Sequence, residues 1–174
     1  MAKLAALVVA VTTVLTATSM PSSASAIAGP STDQATVEYR AFSVSIDTFM
    51  SLRASRSPSH LDWATDGCST PLPVGLGDTG RSFDFTKACI HHDFGYRNFP
   101  MLDRRFNCPS RPADGYCAAG TWSYGRYWSE MVRKRIDDRF LADMKVDCAP
   151  RPWYQKPTCL AWAQTYYSAV RVGG

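Results

Sequence analysis

The sequence predicts an all-α protein, a small disulfide-stabilised helical bundle. Three observations predict it. Apolar residues recur at helical spacing over several stretches. No segment shows the strict alternation of a half-buried strand or the turn residues of a hairpin. Six cysteines, Cys68, Cys89, Cys108, Cys117, Cys148 and Cys159, all lie beyond an export signal. The composition, 45% hydrophobic and 20% charged over 174 residues, is that of one globular domain with an extension, and it excludes collagen-like, low-complexity and wholly disordered chains. A net charge of +4 favours an anionic surface. Dense basic runs are missing, so no nucleic-acid partner is expected.

Residues 1–26 read as a secretory signal peptide: Lys3 gives a positive start, Leu4 to Leu15 carries no charge, and Ala24-Ser25-Ala26 is an A-x-A cleavage site. A membrane anchor is the alternative, but the apolar run of about 12 to 14 residues falls short of the roughly 20 that span a bilayer. A secreted, soluble protein is expected. Residues 27–57 read as an N-terminal helical extension or a propeptide. Within them Ile27 to Gln34 looks like a loose leader, and Val37, Ala41, Val44, Ile46, Phe49, Met50 and Leu52 form a helical stripe with a break near Ser43-Val44-Ser45. Residues 58–174 then form the main domain.

Asp66 to Gly80 holds four Gly and two Pro and reads as a loop. Asp84 caps a helix that carries Phe85, Ala88, Cys89, His92 and Tyr96 on one side. Asn98 to Gly125 reads as irregular. Tyr127 to Val146 is the longest helical pattern, with Trp128, Val132, Ile136, Phe140 and Met144 at steps of four, stopped at Cys148 by Pro150 and Pro152. Cys159 to Val170 reads as a terminal helix with Leu160, Ala163, Tyr167 and Val170 on one face. An even number of cysteines in an exported chain means three disulfides, with 15 pairings open. Zinc is the rival, but no C-x-x-C pair and no suitably spaced histidines support it.

Chemistry concentrates at Cys89 to Asn98. Adjacent helical side chains diverge by about 100°, so His92 and Asp93 serve different partners at neighbouring points. An imidazole titrates near neutrality and acts as a general base once a third group fixes its tautomer. The carboxylate of Asp93 is a hard donor suited to Ca²⁺. Asp137 and Asp138 supply the nearest other helical carboxylates. In the loop Asp62-Trp63-Ala64-Thr65-Asp66-Gly67-Cys68, a carboxylate and a backbone carbonyl can both face a cation, without EF-hand spacing. Each residue also has a plainer reading. His92 as a structural histidine, Asp66 as a turn residue and Asp137-Asp138 as a solvated face all stay open on residues alone, and His91 reads as an exposed neighbour and His60 as a loop residue.

The string Cys89-x-x-His92-Asp93-Phe94-Gly95-Tyr96-Arg97-Asn98 resembles the active-site helix of secreted phospholipases A2, most closely the small bacterial and fungal group. Asp62 to Cys68 is similar to that group's calcium loop. Arg135-Ile136-Asp137, Phe140, Asp143-Met144-Lys145 and Cys148 are similar to its second catalytic helix. The likeness runs from about Trp63 to Val170. It implies two antiparallel catalytic helices beside a calcium loop. It also implies His92 as the base that activates water, Asp137 as the group that orients it, and Ca²⁺ held by Asp93, Asp66 and the carbonyl of Gly67. The reaction implied is hydrolysis of the sn-2 ester of a glycerophospholipid to a lysophospholipid and a fatty acid. Disulfides Cys68–Cys89 and Cys148–Cys159 follow from the same resemblance, which leaves Cys108 with Cys117.

The chain departs from its group in three places. His91 stands where relatives carry Arg or Lys, Gly67 replaces a larger residue, and Phe99 to Trp128 is longer. From Arg97 to Arg135 eight basic residues face three acidic ones, a local +5. Two readings of that segment stay open: it rests on anionic lipid, with Arg104 and Arg105 the charges that would test this, or it is a solvated loop. The expected partner is a phospholipid membrane or micelle surface, touched peripherally by a monomer. The alternative function is a non-catalytic lipid- or receptor-binding protein on the same scaffold.

Overall fold

The computed structural model describes residues 30–68, 79–80, 83–107 and 125–173. The expected export signal at 1–26, Cys108 and Cys117 lie outside the described residues. Among those residues the fold is helical: α1 (Pro30–Glu38) runs into a π-helical turn (Tyr39–Ser43), followed by α2 (Ile46–Ser55), α3 (Thr86–Phe106), α4 (Glu130–Cys148) and α5 (Lys156–Gly173). A two-residue antiparallel ladder, β1 (Thr79–Gly80) with β2 (Phe83–Asp84), precedes α3. No helix among the described residues is long and apolar enough to cross a membrane.

Local chemistry explains most boundaries. The hydroxyl of Ser45 accepts from Thr48 N–H at 3.2 Å to start α2, and Ser129 accepts from Val132 N–H at 3.2 Å to start α4. Asp84 Oδ1 accepts from Thr86 N–H at 2.9 Å at the head of α3. Two expectations are corrected here. The leader is helical from Pro30, because Asp33 is buried and bonded to His60 Nε2 at 2.9 Å and to Arg105 Nη1 at 2.8 Å. And α3, not α4, is the longest helix, because it runs through Asn98 and Pro100 to Phe106. Burial of Phe99, Met101 and Leu102 outweighs the proline's local cost.

Helices α3 and α4 pack antiparallel. Contacts advance along α3 through His92, Gly95 and Tyr96 as they recede along α4 through Phe140, Ile136 and Arg133. Gly95 makes the approach close, since a Cβ there would lie 2.9 Å from Ile136 Cγ2. On one side of α3, Val37, Phe49, Trp63, Phe94, Phe99, Leu102 and Ile136 form a core with the N-terminal helices. On the other, Phe85, Phe140, Met144, Ala163 and Tyr166 form a second core with α4 and α5. The face that α5 buries is Cys159, Ala163, Tyr166 and Ala169, rather than the expected stripe, and Leu160 is exposed. Disulfides Cys68–Cys89 and Cys148–Cys159 tie the loop to α3 and α4 to α5.

Candidate active site

The border between the two cores holds His92. Its ring lies between those of Tyr96 and Phe140, at centroid distances of 4.3 and 4.7 Å. Nε2 is 2.9 Å from Asp137 Oδ1, reached from the facing helix. Asp137 is fully buried, and its Oδ1 also accepts from Tyr96 Oη at 2.9 Å while Oδ2 accepts from Arg171 Nη1 at 2.7 Å. Burial pushes this carboxyl up, but the bonds from His92, Arg171 and Tyr96 outweigh it and hold the group below the usual carboxylate range. Asp137 is therefore ionised and only accepts, so the proton between the pair sits on Nε2. Among the described residues Nδ1 of His92 takes no protein hydrogen bond, and the side chain is 11% exposed.

The neighbouring histidine is the largest departure from expectation. His91 is buried rather than exposed. Its Nδ1 meets Asp143 Oδ2 at 2.7 Å and its Nε2 meets the carbonyl of Arg40 at 2.8 Å, with the ring stacked 4.1 Å from Phe49. Both nitrogens are engaged, which leaves none to take a proton from substrate or water. Geometry thus separates the two adjacent histidines that the sequence could rank only by register.

The loop 62–68 is pinned to α3. Asn98 grips the backbone of Asp62 from both ends, donating to its carbonyl at 2.7 Å and accepting from its N–H at 2.9 Å. Farther along, Asp93 Oδ2 accepts from Thr65 Oγ1 at 2.5 Å and from Asp66 N–H at 3.1 Å. Gly67 has φ 73°, a left-handed conformation that glycine takes without strain, and its N–H donates to Thr65 Oγ1 at 3.0 Å. The carboxylate of Asp66 turns to Arg97 at 3.3 Å. Burial first, and the Asp66 charge after it, push the Asp93 carboxyl up to about 6 despite the Thr65 bond.

A desolvated carboxylate next to a second one, with backbone oxygens at hand, is a hard all-oxygen donor set. It fits a hard dication such as Ca²⁺. Among the described residues no three His, Cys, Asp or Glu side chains converge at metal-binding distance. A calcium ion here would fill its shell from carbonyls and water.

A family model described as prokaryotic phospholipase A2 matches residues 37–112 and 117–174. The chain belongs to the prokaryotic phospholipase A2 family. The chain is also similar to a secretory phospholipase A2 of Arthroderma benhamiae, 30% identical over 164 residues that make up 92% of this chain and 91% of that protein. A secretory phospholipase A2 of Beauveria bassiana is 32% identical over 133 residues, 76% of this chain and 54% of the longer relative. The enzyme class predicted from the motifs, phospholipase A2, is that of the family. Family membership extends to Val37 and so takes in much of the N-terminal helical segment.

In this phospholipase A2 scaffold the five sequence-derived site residues fall into two groups. His92 and Asp137 bond directly, whereas Asp93 meets the backbone at Asp66 beside Gly67. Sequence reasoning missed the roles of Tyr96, Thr65 and Arg171. Tyr96 was discoverable, since it stands one turn beyond His92 on the same face of α3. Thr65 lies inside the quoted loop. Arg171 carries no local signal, being 34 residues from the aspartate it touches. The lipid-facing reading of Arg105 is corrected, because its guanidinium is bonded to buried Asp33 and only 14% exposed.

Proposed function

We propose that the protein is an exported, calcium-dependent phospholipase A2 in which His92 is the general base, Asp137 its orienting partner, and Asp93, Asp66 and the carbonyl of Gly67 the calcium ligands. The observation that carries the reading is the bond from His92 Nε2 to buried, ionised Asp137, which leaves Nδ1 to accept a proton. The signal at 1–26 would direct export. The site would meet phospholipid at a membrane or micelle surface, as a peripheral monomer.

In the reaction, a water O–H bond breaks as its proton passes to His92 Nδ1 and its oxygen attacks the sn-2 carbonyl carbon. Asp137 keeps Nε2 protonated and offsets the positive charge that the imidazole acquires, without taking the proton itself. The carbon–oxygen bond to glycerol then breaks, and Nδ1–H returns the proton to the departing oxygen, so lysophospholipid and fatty acid leave with the base restored. When bound, the calcium ion would polarise the ester carbonyl and stabilise its developing negative charge. Thr65 and the Asp66 amide hold the Asp93 carboxylate in place for that role. No serine nucleophile is needed, in keeping with the lack of a G-x-S-x-G elbow.

The test is fatty-acid release from vesicles of sn-2-labelled phospholipid, with calcium and with excess chelator, for the mature protein and His92→Ala. Calcium-dependent release lost in the variant is expected. A folded, calcium-binding protein that releases no fatty acid would replace this reading with a binding module.

A further inference from the structure

We propose that Arg171, in the last turn of α5, is a positioning residue for the His92–Asp137 pair, so that the C-terminal helix belongs to the hydrolytic machinery. The inference rests on the reading of His92 as the base.

A carboxylate turns about one bond, and an aspartate that orients a histidine must present the same oxygen throughout turnover. His92 and Tyr96 both address Oδ1 of Asp137. Neither restrains Oδ2. Arg171 Nη1 does, at 2.7 Å. The guanidinium is itself fixed, because Nη2 reaches Glu130 Oε1 at 2.6 Å on the first turn of α4. Arg133 closes the circuit by donating to the carbonyl of Arg171 at 2.9 Å and to Tyr96 Oη at 3.3 Å. Asp137 is therefore gripped through both oxygens by a ring of side chains from α3, α4 and α5.

Two alternatives are weaker on these contacts. Arg171 is not needed to dock α5, which is already held by Cys148–Cys159 and by the burial of Ala163, Tyr166 and Ala169. Nor does it strengthen the base. A fixed cation at Oδ2 opposes the imidazolium that forms during turnover, so the gain it offers is orientation and a permanently ionised Asp137.

The test compares wild type with Arg171→Ala, Arg171→Lys and Arg171→Gln in the full mature chain. It measures kcat and KM on a dispersed short-chain phospholipid, thermal midpoint, and the low-field imidazole N–H resonances. Losing a charge-assisted bond predicts that kcat falls roughly tenfold to a hundredfold in Arg171→Ala. KM should stay within about twofold, because the contact does not bind substrate. Lysine, or free guanidinium added to the alanine variant, should recover part of kcat. The His92 Nε2–H resonance, assigned by its loss in His92→Ala, should broaden or move while the His91 resonance stays as an internal standard.

An unchanged kcat with the His92 resonance intact would overturn the proposal. So would a loss that follows the thermal midpoint, moves both histidine resonances and resists rescue. Should the alanine variant not fold, the glutamine variant carries the same readouts. Should wild type release no fatty acid, the reaction assignment fails separately, and the resonance alone decides whether Arg171 positions the pair.

Discussion

Two histidine–aspartate pairs lie side by side between α3 and α4. His92 faces Asp137, and His91 faces Asp143. Each aspartate gives one oxygen to its histidine and the other to an arginine, Arg171 for Asp137 and Arg139 for Asp143. In residue types they are the same, and they differ in the second nitrogen. His91 spends it on the carbonyl of Arg40 inside the core, whereas His92 keeps it open at the edge of the packing. A His–Asp pair therefore does not by itself mark catalysis. In the proposed mechanism the distinguishing feature is the open nitrogen of His92.

The comparison breaks most visibly under alanine substitution. His92→Ala should lower kcat by roughly a thousandfold or more, as loss of a catalytic base does, and leave the thermal midpoint close to wild type. His91→Ala should do the reverse. It leaves a buried carboxylate short of a partner and should cost about 3 kcal/mol of stability, while the folded fraction retains its turnover. Denaturant titration and initial rates on both variants decide the matter, and two variants with the same profile would erase the distinction. Gly95→Ala should come next. The new methyl must displace Ile136, next in sequence to Asp137, so overpacking of roughly 1–3 kcal/mol should accompany a fall in kcat. Unchanged kinetics would show that the pair tolerates movement of the helix behind it.

The smallest effect concerns Asp93, which among the described residues has no arginine to match those on Asp137 and Asp143. Its pKa is raised on folding from 3.8 to about 6, so over that window the folded chain binds the proton more readily than the unfolded one. This group therefore adds stability as pH falls below about 6 and withdraws it as pH rises from about 4 to 6. In excess chelator, Asp93→Asn should flatten that part of the curve of thermal midpoint against pH. A slope as steep as wild type would place the effect elsewhere. Calcium should raise the wild-type midpoint above pH 6 and leave the asparagine variant unmoved.

Much of this was legible in the sequence, for reasons that vary by residue. The stripe Ile136, Phe140 and Met144 predicts the buried face of α4 because helical spacing and burial coincide there. The break near Ser45 is readable because its hydroxyl caps the next helix. His92, Asp93 and Asp137 come from a motif string whose order constrains what each side chain meets. Long-range partners are not local signals. The burial of His91 depends on Arg40 and Asp143, which lie 51 and 52 residues away. The continuation of α3 through Pro100 depends on core contacts that no window of sequence contains. The irregular reading of that stretch was sound propensity overridden by packing.

The break between α1 and α2 has a consequence for maturation. Three of its carbonyls are claimed from outside: Arg40 accepts from His91, and Phe42 and Val44 accept from Arg139 at 2.9 and 2.6 Å. A protease that cut at Ser57 and released the preceding helices would strip those acceptors from the buried His91 ring and the half-buried Arg139 guanidinium, and would remove Phe49 from the core. We therefore expect these helices to act as a keystone, so that a chain cut at Ser57 loses activity rather than gaining it.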